Sequence, residues 1–199
     1  MHPALAAWHW PGWLSPPDAD RAFAQLLAEI PWQQGQVRLF GKWLNEPRLS
    51  AWCGDAESVY TYAGRQLAPL PWHATLQRLR QALQIFLKQP FNSVLLNYYR
   101  HGDDSMGYHR DNEPELGPEP VIASLSLGAT RRFVLRQLSA PHERIALPLA
   151  HGDLLLMYGH SQRDWQHALP KQKRVSAPRL NLTFRYVQTA ATQGSPRSV

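Results

Sequence analysis

The chain has 199 residues, of which 44% are hydrophobic, so it can form one domain with a sizeable core. Its formal net charge of +6 favours an anionic partner, nucleic acid first. The single cysteine, Cys53, excludes an internal disulfide and fits a reducing compartment. We find neither a signal-peptide pattern nor an apolar run near the ~18 residues of a membrane helix, so we expect a cytoplasmic, monomeric protein.

The first half of the chain predicts two helices and some short strands. The hydrophobic residues of segment 1–14 show no clear periodicity, so this segment is expected to be an irregular lead-in. Ser15-Pro16-Pro17-Asp18 is a typical helix start, and Pro31 ends that helix. The second helix is amphipathic, with apolar positions at Trp72, Leu76, Leu79, Leu83 and Phe86. Short strands are predicted at 37–40 and 58–63, around a turn-rich segment in which aromatic and basic residues alternate.

From residue 92 onward, short strands follow one another without helices between them. This pattern predicts a mainly β fold of the α+β class, a jelly roll (double-stranded β-helix) with the N-terminal helices packed on one sheet. The expected division is a lead-in at 1–14, helices and hairpins at 15–90, the core at 91–187 and a flexible tail at 188–199. The strands are expected at 93–99, 106–110, 121–127, 131–136, 143–149, 153–157, 165–168 and 178–187.

A metal site is indicated by His109 and Asp111. Residues two apart in a strand point to the same face, so the imidazole and the carboxylate project side by side. A distant second histidine would complete a facial site of two histidines and one carboxylate, which typically binds Fe(II). The candidates are His142, His151, His160 and His167. His151 and His160 resemble turn residues, and we favour His167, which lies at a strand end 12 residues before Arg179.

The last strand predicts a pocket for a small dicarboxylate. Its apolar face is formed by Leu180, Leu182, Phe184 and Tyr186, and its other face by Arg179, Asn181, Thr183 and Arg185. If the polar row points into the barrel, the two guanidinium groups need anionic partners, which two carboxylates would supply. Asn97 and Tyr99 share a strand face in the same way and are expected to add hydrogen bonds.

These motifs together resemble the AlkB family of iron- and 2-oxoglutarate-dependent dioxygenases. The resemblance covers roughly residues 35–187 and is closest to the homologue that repairs duplex DNA. It implies that His109, Asp111 and His167 ligate Fe(II). It also implies that Arg179 and Arg185 hold the carboxylates of 2-oxoglutarate, with help from Asn97, Tyr99 and Thr183; which arginine takes which carboxylate is left open. The implied activity is oxidative demethylation of 1-methyladenine and 3-methylcytosine with O2, releasing formaldehyde, succinate and CO2.

The resemblance further implies a nucleotide-recognition lid within residues 15–90. Phe40 would fill the gap left by a flipped base, next to Gly41 and Lys42, and Arg48 would contact the DNA backbone. Tyr62 would stack on the flipped base, with Tyr60, Thr61 and Glu113 around it. Asn112 is a departure from the duplex-DNA homologue, which has an acid there, and it weakens the argument for a strict carboxylate partner to the damaged base.

Two other interpretations are considered. The first keeps iron and 2-oxoglutarate but places RNA, a protein or a small molecule in the pocket. The second is a cupin-like jelly-roll module that binds a metal or a sugar without redox chemistry. That module would have no use for Arg179 and Arg185 on one strand after the third ligand.

Overall fold

The computed structural model describes residues 3–188 except 40, 59, 63, 64 and 68, with the backbone alone at 38, 39, 60–62 and 65–67. The helices are α1 (Pro16–Glu29), α2 (Ala74–Leu87) and α3 (Ser161–Asp164), with a 3-10 turn at Pro114–Leu116. The strands are β1 (Ala7–Trp10), β2 (Gln36–Leu39), β3 (Lys42–Asn45), β4 (Leu49–Gly54), β5 (Tyr60–Tyr62), β6 (Arg65–Leu67), β7 (Ser93–Tyr99), β8 (Met106–His109), β9 (Ile122–Gly128), β10 (Arg131–Gln137), β11 (Arg144–Leu149), β12 (Leu154–Met157), β13 (Trp165–Leu169) and β14 (Arg179–Arg185).

Two antiparallel sheets form the body of the protein. The major sheet has six strands in the order β1-β12-β9-β14-β7-β4, and the minor sheet has four in the order β11-β10-β13-β8. Apart from the consecutive pair β10 and β11, neighbouring strands in each sheet are distant in sequence, as in a jelly roll. The expected mainly β fold is confirmed, and the eight expected strands from residue 93 onward all occur, with ends that differ by at most two residues.

Both long helices pack on the outer face of the major sheet. α1 contributes Ala19, Ala22 and Leu26, and α2 contributes Leu76, Leu79 and Leu83, to one buried cluster with the apolar side of β14. Burying these side chains supplies the hydrophobic free energy that holds the helices on the sheet, at roughly 25 cal/mol per Å² of apolar surface. In the described part of the chain no helix has both the length and the hydropathy of a membrane span.

A second core fills the space between the two sheets. It includes Ile122 from β9, Phe133 and Leu135 from β10, and Trp165 from β13. Because side chains alternate along β14, its helix-facing leucines leave Arg179 and its polar companions on the inner side, between the sheets. The expected orientation of this polar row is therefore what the structure has.

The structure corrects the description of the first half of the chain. The lead-in is not irregular throughout, because residues 7–10 form β1, which pairs with β12 at the edge of the major sheet. β4 was not predicted, yet it joins the opposite edge through β7. The polar and small residues of Leu49-Ser-Ala-Trp-Cys-Gly gave no clear alternation, and only the pairing partner makes this segment a strand. The end of the expected tail, 189–199, lies outside the described residues.

A two-stranded hairpin stands apart from the two main sheets. β2 and β3 pair antiparallel, with Leu39 opposite Lys42. Gly41 has φ of 78°, a left-handed conformation that glycine adopts without steric cost. Every residue of β3 is exposed, including Trp43 with 55% of its surface. We call residues 36–45 the recognition hairpin, after the role that the AlkB resemblance implies for this segment.

Candidate active site

The three residues expected to bind a metal converge in space. One potential ligand atom from each of His109, Asp111 and His167 lies within 4.8 Å of the others. Nε2 of His109 is 3.9 Å from Oδ1 of Asp111, and Nε2 of His167 is 4.0 Å from Oδ2. β8 and β13 are neighbours in the minor sheet with His109 directly opposite His167, so pairing of the two strands brings both imidazoles to one face.

The protonation states of the cluster suit metal binding. Nδ1 of His109 lies 2.9 Å from the Gly107 carbonyl oxygen; an N–H there donates to the oxygen and leaves the Nε2 lone pair for a metal. Burial, together with the nearby His109, lowers the pKa of His167 to about 3, so this imidazole is neutral at pH 7. Burial alone would raise the pKa of Asp111, but Arg185 and the two imidazoles hold it well below its ordinary value. The cluster therefore offers Nε2 of His109, a neutral imidazole at His167 and an ionised carboxylate at Asp111.

Asp111 is held from two further sides. Nη2 of Arg185 lies 2.8 Å from its Oδ1, and both side chains are buried. The backbone amide of Asp111 donates to Oε1 of Gln162 at 3.0 Å. Gln162 is itself buried and belongs to α3, which runs directly into β13 and His167. The α3 segment thus connects the two parts of the chain that carry metal ligands.

All the residues expected to bind 2-oxoglutarate line the same pocket as the metal cluster. The pocket lies between the two sheets and is lined on its polar side by Asn97, Tyr99, His109, Asp111, Ser124, His167, Arg179, Asn181, Thr183 and Arg185. Its apolar lining includes Leu95, Met106 and Phe133. Phe133 also stacks on His167, with ring centroids 5.2 Å apart. The pocket therefore combines a metal cluster with a small polar chamber, as a site for a metal and a small anion requires.

Arg179 supplies the evidence for an anion. It is 1% exposed, and its Nη2 donates to Ser126 and Asn181. Its Nε and Nη1 are buried and have no hydrogen-bond partner among the described residues. Burial lowers the pKa of Arg179 to about 10, which still leaves it charged at pH 7. A buried cation with two unused donors is costly unless a ligand carboxylate accepts from it.

Some residues that line the pocket or contact its lining residues were not predicted from the sequence. Ser124 and Ser126 lie on β9, where Ser124 hydrogen-bonds to Asn181 and Ser126 accepts from Arg179. Their signal was available, because serines two apart in a strand with leucines between them share one face. Gln162 had no such signal, since its role depends on the packing of α3 against the loop of Asp111.

Apart from Arg48, the expected DNA-contacting residues fall into three groups. Lys42, Asn112 and Gly41 are exposed, as a nucleic-acid contact requires. Glu113 is partly buried, and its Oε2 has no hydrogen-bond partner in the described part of the chain. Phe40 lies outside the described residues, as do the side chains of Tyr60, Thr61 and Tyr62, whose backbone forms β5.

Arg48 does not lie where a contact to the DNA backbone would place it. It is 4% exposed and forms an ion pair with Glu46, with Nη2 and Oε1 2.8 Å apart. Its Nε donates to Oδ1 of Asn97 at 2.9 Å. The expected backbone contact came from the AlkB resemblance, and the basic and aromatic character of the segment does not reveal that this guanidinium turns inward. Arg48 thus contacts Asn97, which lines the pocket, and does not face the solvent.

The other histidines considered as the third ligand lie outside the cluster. His142 is exposed between β10 and β11, and His160 precedes the first residue of α3. Nδ1 of His151 accepts from the amide of Gly128, and its Nε2 lies 3.2 Å from Asp20. Of the four candidates, His167 is the one that the structure places beside His109 and Asp111.

Comparison with known proteins agrees with this site. Residues 6–185 match the family model of the 2OG-Fe(II) oxygenase superfamily. The chain is 44% identical over 180 residues to the human DNA oxidative demethylase ALKBH2, which covers 85% of this chain and 69% of that protein. It is 42% identical over 186 residues to the Bos taurus alpha-ketoglutarate-dependent dioxygenase alkB homolog 3, over 89% of this chain and 64% of that protein.

Two solved structures share the fold at low sequence identity. The structure of OsALKBH1 superposes with a TM-score of 0.58 at 17% identity, over 93% of this chain and all (100%) of that one. A prolyl hydroxylase from Trichoplax adhaerens superposes with a TM-score of 0.65 at 13% identity, over 93% and 84% of the two chains. The chain therefore belongs to the 2OG-Fe(II) oxygenase superfamily. Within it, the chain is similar to the DNA oxidative demethylase ALKBH2 and to the alpha-ketoglutarate-dependent dioxygenase alkB homolog 3, which confirms the AlkB resemblance.

Proposed function

We propose that this protein repairs DNA by oxidative demethylation of N-alkylated bases, using Fe(II), O2 and 2-oxoglutarate. The observation that carries the proposal is that the His109, Asp111 and His167 cluster and the two unused donors of Arg179 share one pocket. The names of the ALKBH2 and alkB homolog 3 relatives support the same substrate and co-substrate. The products are succinate, CO2, formaldehyde and the repaired base.

The proposed metal ligands are Nε2 of His109, a carboxylate oxygen of Asp111, and Nε2 of His167. Two imidazoles and one carboxylate are the ligands of non-heme Fe(II) oxygenases, and they leave open positions for other ligands. Bound iron, with 2-oxoglutarate and O2, supplies the oxidation of the methyl carbon on the ring nitrogen. Arg185 keeps Asp111 ionised, and burial keeps His167 neutral, so that the site has its ligand charges in place at neutral pH.

The two arginines are assigned different carboxylates of 2-oxoglutarate. Arg185 contacts the metal ligand Asp111 and is assigned to the end of the co-substrate near the metal. Arg179 contacts Ser126 and Asn181 instead and offers Nε and Nη1 to the other carboxylate. A guanidinium and a carboxylate form a charge-assisted, often bidentate pair, which also fixes the orientation of the ligand. Asn97, Tyr99 and Thr183 supply further polar contacts from the same wall.

The proposed substrate is 1-methyladenine or 3-methylcytosine in duplex DNA, with single-stranded DNA and RNA as further substrates. A base cannot reach a buried metal from within the duplex, so it is flipped out, which costs least for bases that do not pair. The recognition hairpin, with exposed Lys42 and Trp43, is the surface proposed to enter the duplex, with Phe40 as the wedge. Tyr62 is proposed to stack on the flipped base, with Tyr60, Thr61, Asn112 and Glu113 around it.

We also propose that the protein acts as a monomer in the compartment that holds the DNA. All the proposed ligands and arginines come from one chain, so the site needs no residue from a second copy. We propose the same division of the chain, with helices and lid at 15–90 and the core at 91–187. β1 and β4, which lie outside 91–187, extend the core sheet at its two edges.

The test is a mass-spectrometric demethylation assay on a panel of methylated bases in duplex DNA, single-stranded DNA and RNA. Conversion of 1-methyladenine and 3-methylcytosine that needs both Fe(II) and 2-oxoglutarate, with one formaldehyde per repaired base, is the expected result. A preference for the methylated bases in RNA would change the proposed substrate from DNA to RNA. Absence of any 2-oxoglutarate turnover with every substrate would favour a binding module without redox chemistry.

A further inference from the structure

Arg48 lies in a buried network between the recognition hairpin and the pocket. It follows β3 by three residues and directly precedes β4. Its side chain and that of Glu46 are each 5% exposed, and the two are joined by the contact of 2.8 Å. A guanidinium held in this way would have to break a buried ion pair to reach a phosphate, which is strongly unfavourable because the partner charge is left buried.

The second bond of Arg48 fixes the amide of Asn97. Nε of Arg48 donates to Oδ1 of Asn97, which lies on β7 and lines the pocket. An asparagine amide has one acceptor oxygen and one donor nitrogen. Because Arg48 uses the oxygen, the NH2 group is the part of Asn97 that remains for a ligand. A carboxylate in the pocket needs donors, so the bond from Arg48 selects the useful orientation.

Glu46 anchors this network to the base of the recognition hairpin. The amide of Glu46 donates to the Gly35 carbonyl at 2.8 Å, and its own carbonyl accepts from Nε2 of Gln34 at 3.1 Å. A Cβ atom on Gly35 would lie 2.5 Å from Oε2 of Glu46, so the carboxylate packs against a position that has no side chain. Glu46, Arg48 and Asn97 thus form a continuous connection from the hairpin to the pocket.

We propose that Arg48 is a positioning residue for the co-substrate, acting through Asn97, and not a contact to DNA phosphate. The inference rests on the proposed function, because it assigns the NH2 group of Asn97 to a carboxylate of 2-oxoglutarate. Buried ion pairs contribute little net stability compared with apolar replacements of similar volume. Because Arg48 also orients the amide of Asn97, the ion pair has a role other than stability.

The experiment measures binding of 2-oxoglutarate by calorimetry to protein loaded with Mn(II), a redox-inactive probe with the same ligand preferences for oxygen and nitrogen. Four proteins form a double-mutant cycle: wild type, Arg48→Met, Asn97→Ala and the double variant. Arg48→Met is expected to weaken binding about tenfold. In the Asn97→Ala background the same change is expected to have no further effect, because Arg48 acts through that amide.

A second measurement separates this role from a phosphate contact. Binding to methylated duplex DNA is followed against salt concentration for Arg48→Met and for Lys42→Met, an exposed cation on the recognition hairpin. Loss of one phosphate contact lowers the salt slope by about one. We expect this change for Lys42→Met and a wild-type slope for Arg48→Met. Arg21→Met, on the exposed side of α1, controls for the loss of one positive charge.

The variants also need a test of folding. Removing Arg48 alone leaves Glu46 buried without its partner, so Glu46→Gln combined with Arg48→Met removes both charges and is measured by thermal unfolding and by calorimetry. Weakened 2-oxoglutarate binding in this folded variant supports the inference. Three results would overturn this inference and leave the proposed function standing. They are unchanged 2-oxoglutarate binding in this variant, an equal effect of Arg48→Met with and without Asn97→Ala, and a reduced salt slope of DNA binding for Arg48→Met. A wild-type protein that binds no 2-oxoglutarate would overturn the proposed function as well.

Discussion

Nη2 of Arg185 lies 2.8 Å from Oδ1 of Asp111, so one guanidinium joins the candidate metal ligands to the polar row of β14. Arg179, six residues earlier on the same strand face, contacts Ser126 and Asn181 instead. The two arginines that look alike in sequence therefore have different neighbours. This difference predicts that their loss has different consequences.

Arg179→Gln is expected to weaken 2-oxoglutarate binding and leave Mn(II) affinity unchanged. Truncating one partner of a buried charge pair costs ~2–5 kcal/mol, or roughly 30- to several-thousand-fold in affinity. Arg185→Gln is expected to weaken the binding of both 2-oxoglutarate and Mn(II), because Asp111 also loses its partner. The two affinities are measured separately by calorimetry. Identical profiles for the two variants would contradict the assignment of the arginines to different ends of the co-substrate.

The metal cluster predicts the effect of removing each ligand. His109→Ala, Asp111→Ala and His167→Ala are each expected to abolish iron-dependent turnover and to reduce Mn(II) binding sharply, because each removes one of three protein ligands. His160→Ala is the matched control, since His160 precedes α3 and lies outside the cluster. Metal binding is followed by calorimetry on the metal-free protein. Full metal affinity in His167→Ala with loss in His160→Ala would show that the third ligand is wrongly assigned.

Gln162 is predicted to position Asp111. Gln162→Leu removes the acceptor of the Asp111 amide while keeping a side chain of similar size. Loss of an outer contact to a metal ligand typically costs ~10–100-fold in metal affinity. Gln162→Glu retains an acceptor oxygen and is expected to recover part of the affinity. A Gln162→Leu protein that binds Mn(II) as tightly as wild type would remove this role.

The recognition hairpin predicts a difference between duplex and single-stranded substrates. If Phe40 fills the gap left by a flipped base, Phe40→Ala removes a stacking contribution of ~1–3 kcal/mol that only the duplex requires. Repair of 1-methyladenine is measured with the same lesion in duplex and in single-stranded DNA. A larger loss on the duplex is expected. Equal losses on both substrates would mean that Phe40 is an ordinary aromatic residue of the hairpin.

The buried thiol of Cys53 predicts that the free energy of unfolding depends on pH under alkaline conditions. Burial raises the pKa of Cys53 to about 11, whereas a thiol in the unfolded chain titrates near ~8.5. Between these values the unfolded state loses a proton that the folded state keeps, so the free energy of unfolding falls as pH rises, by at most ~1.4 kcal/mol per unit. Below the unfolded value the contribution is fully present. Urea unfolding at pH 8, 9 and 10 measures the slope, and Cys53→Ala should reduce it.

The sequence by itself determined the elements that carry the site. Alternation along residues 93–99 and 179–185 showed which side chains share a face, because a strand has only two faces, and the structure shows which of these faces is the inner one. The His-x-Asp spacing predicted that His109 and Asp111 lie together, and they do, although β8 ends at His109 and Asp111 is in the loop that follows. These are local properties of the chain, so they can be read from residue order.

The tertiary structure decided what depends on contacts between distant segments. β1 and β4 become strands because β12 and β7 offer them edges. His167 joins the cluster because β13 pairs with β8, and Gln162 meets Asp111 because α3 packs against that loop. The segment around Arg48 predicted a surface cation, but Glu46 and Asn97 hold it inside. Charge and aromatic content indicate the type of partner a residue can have, whereas only packing decides which partner it meets.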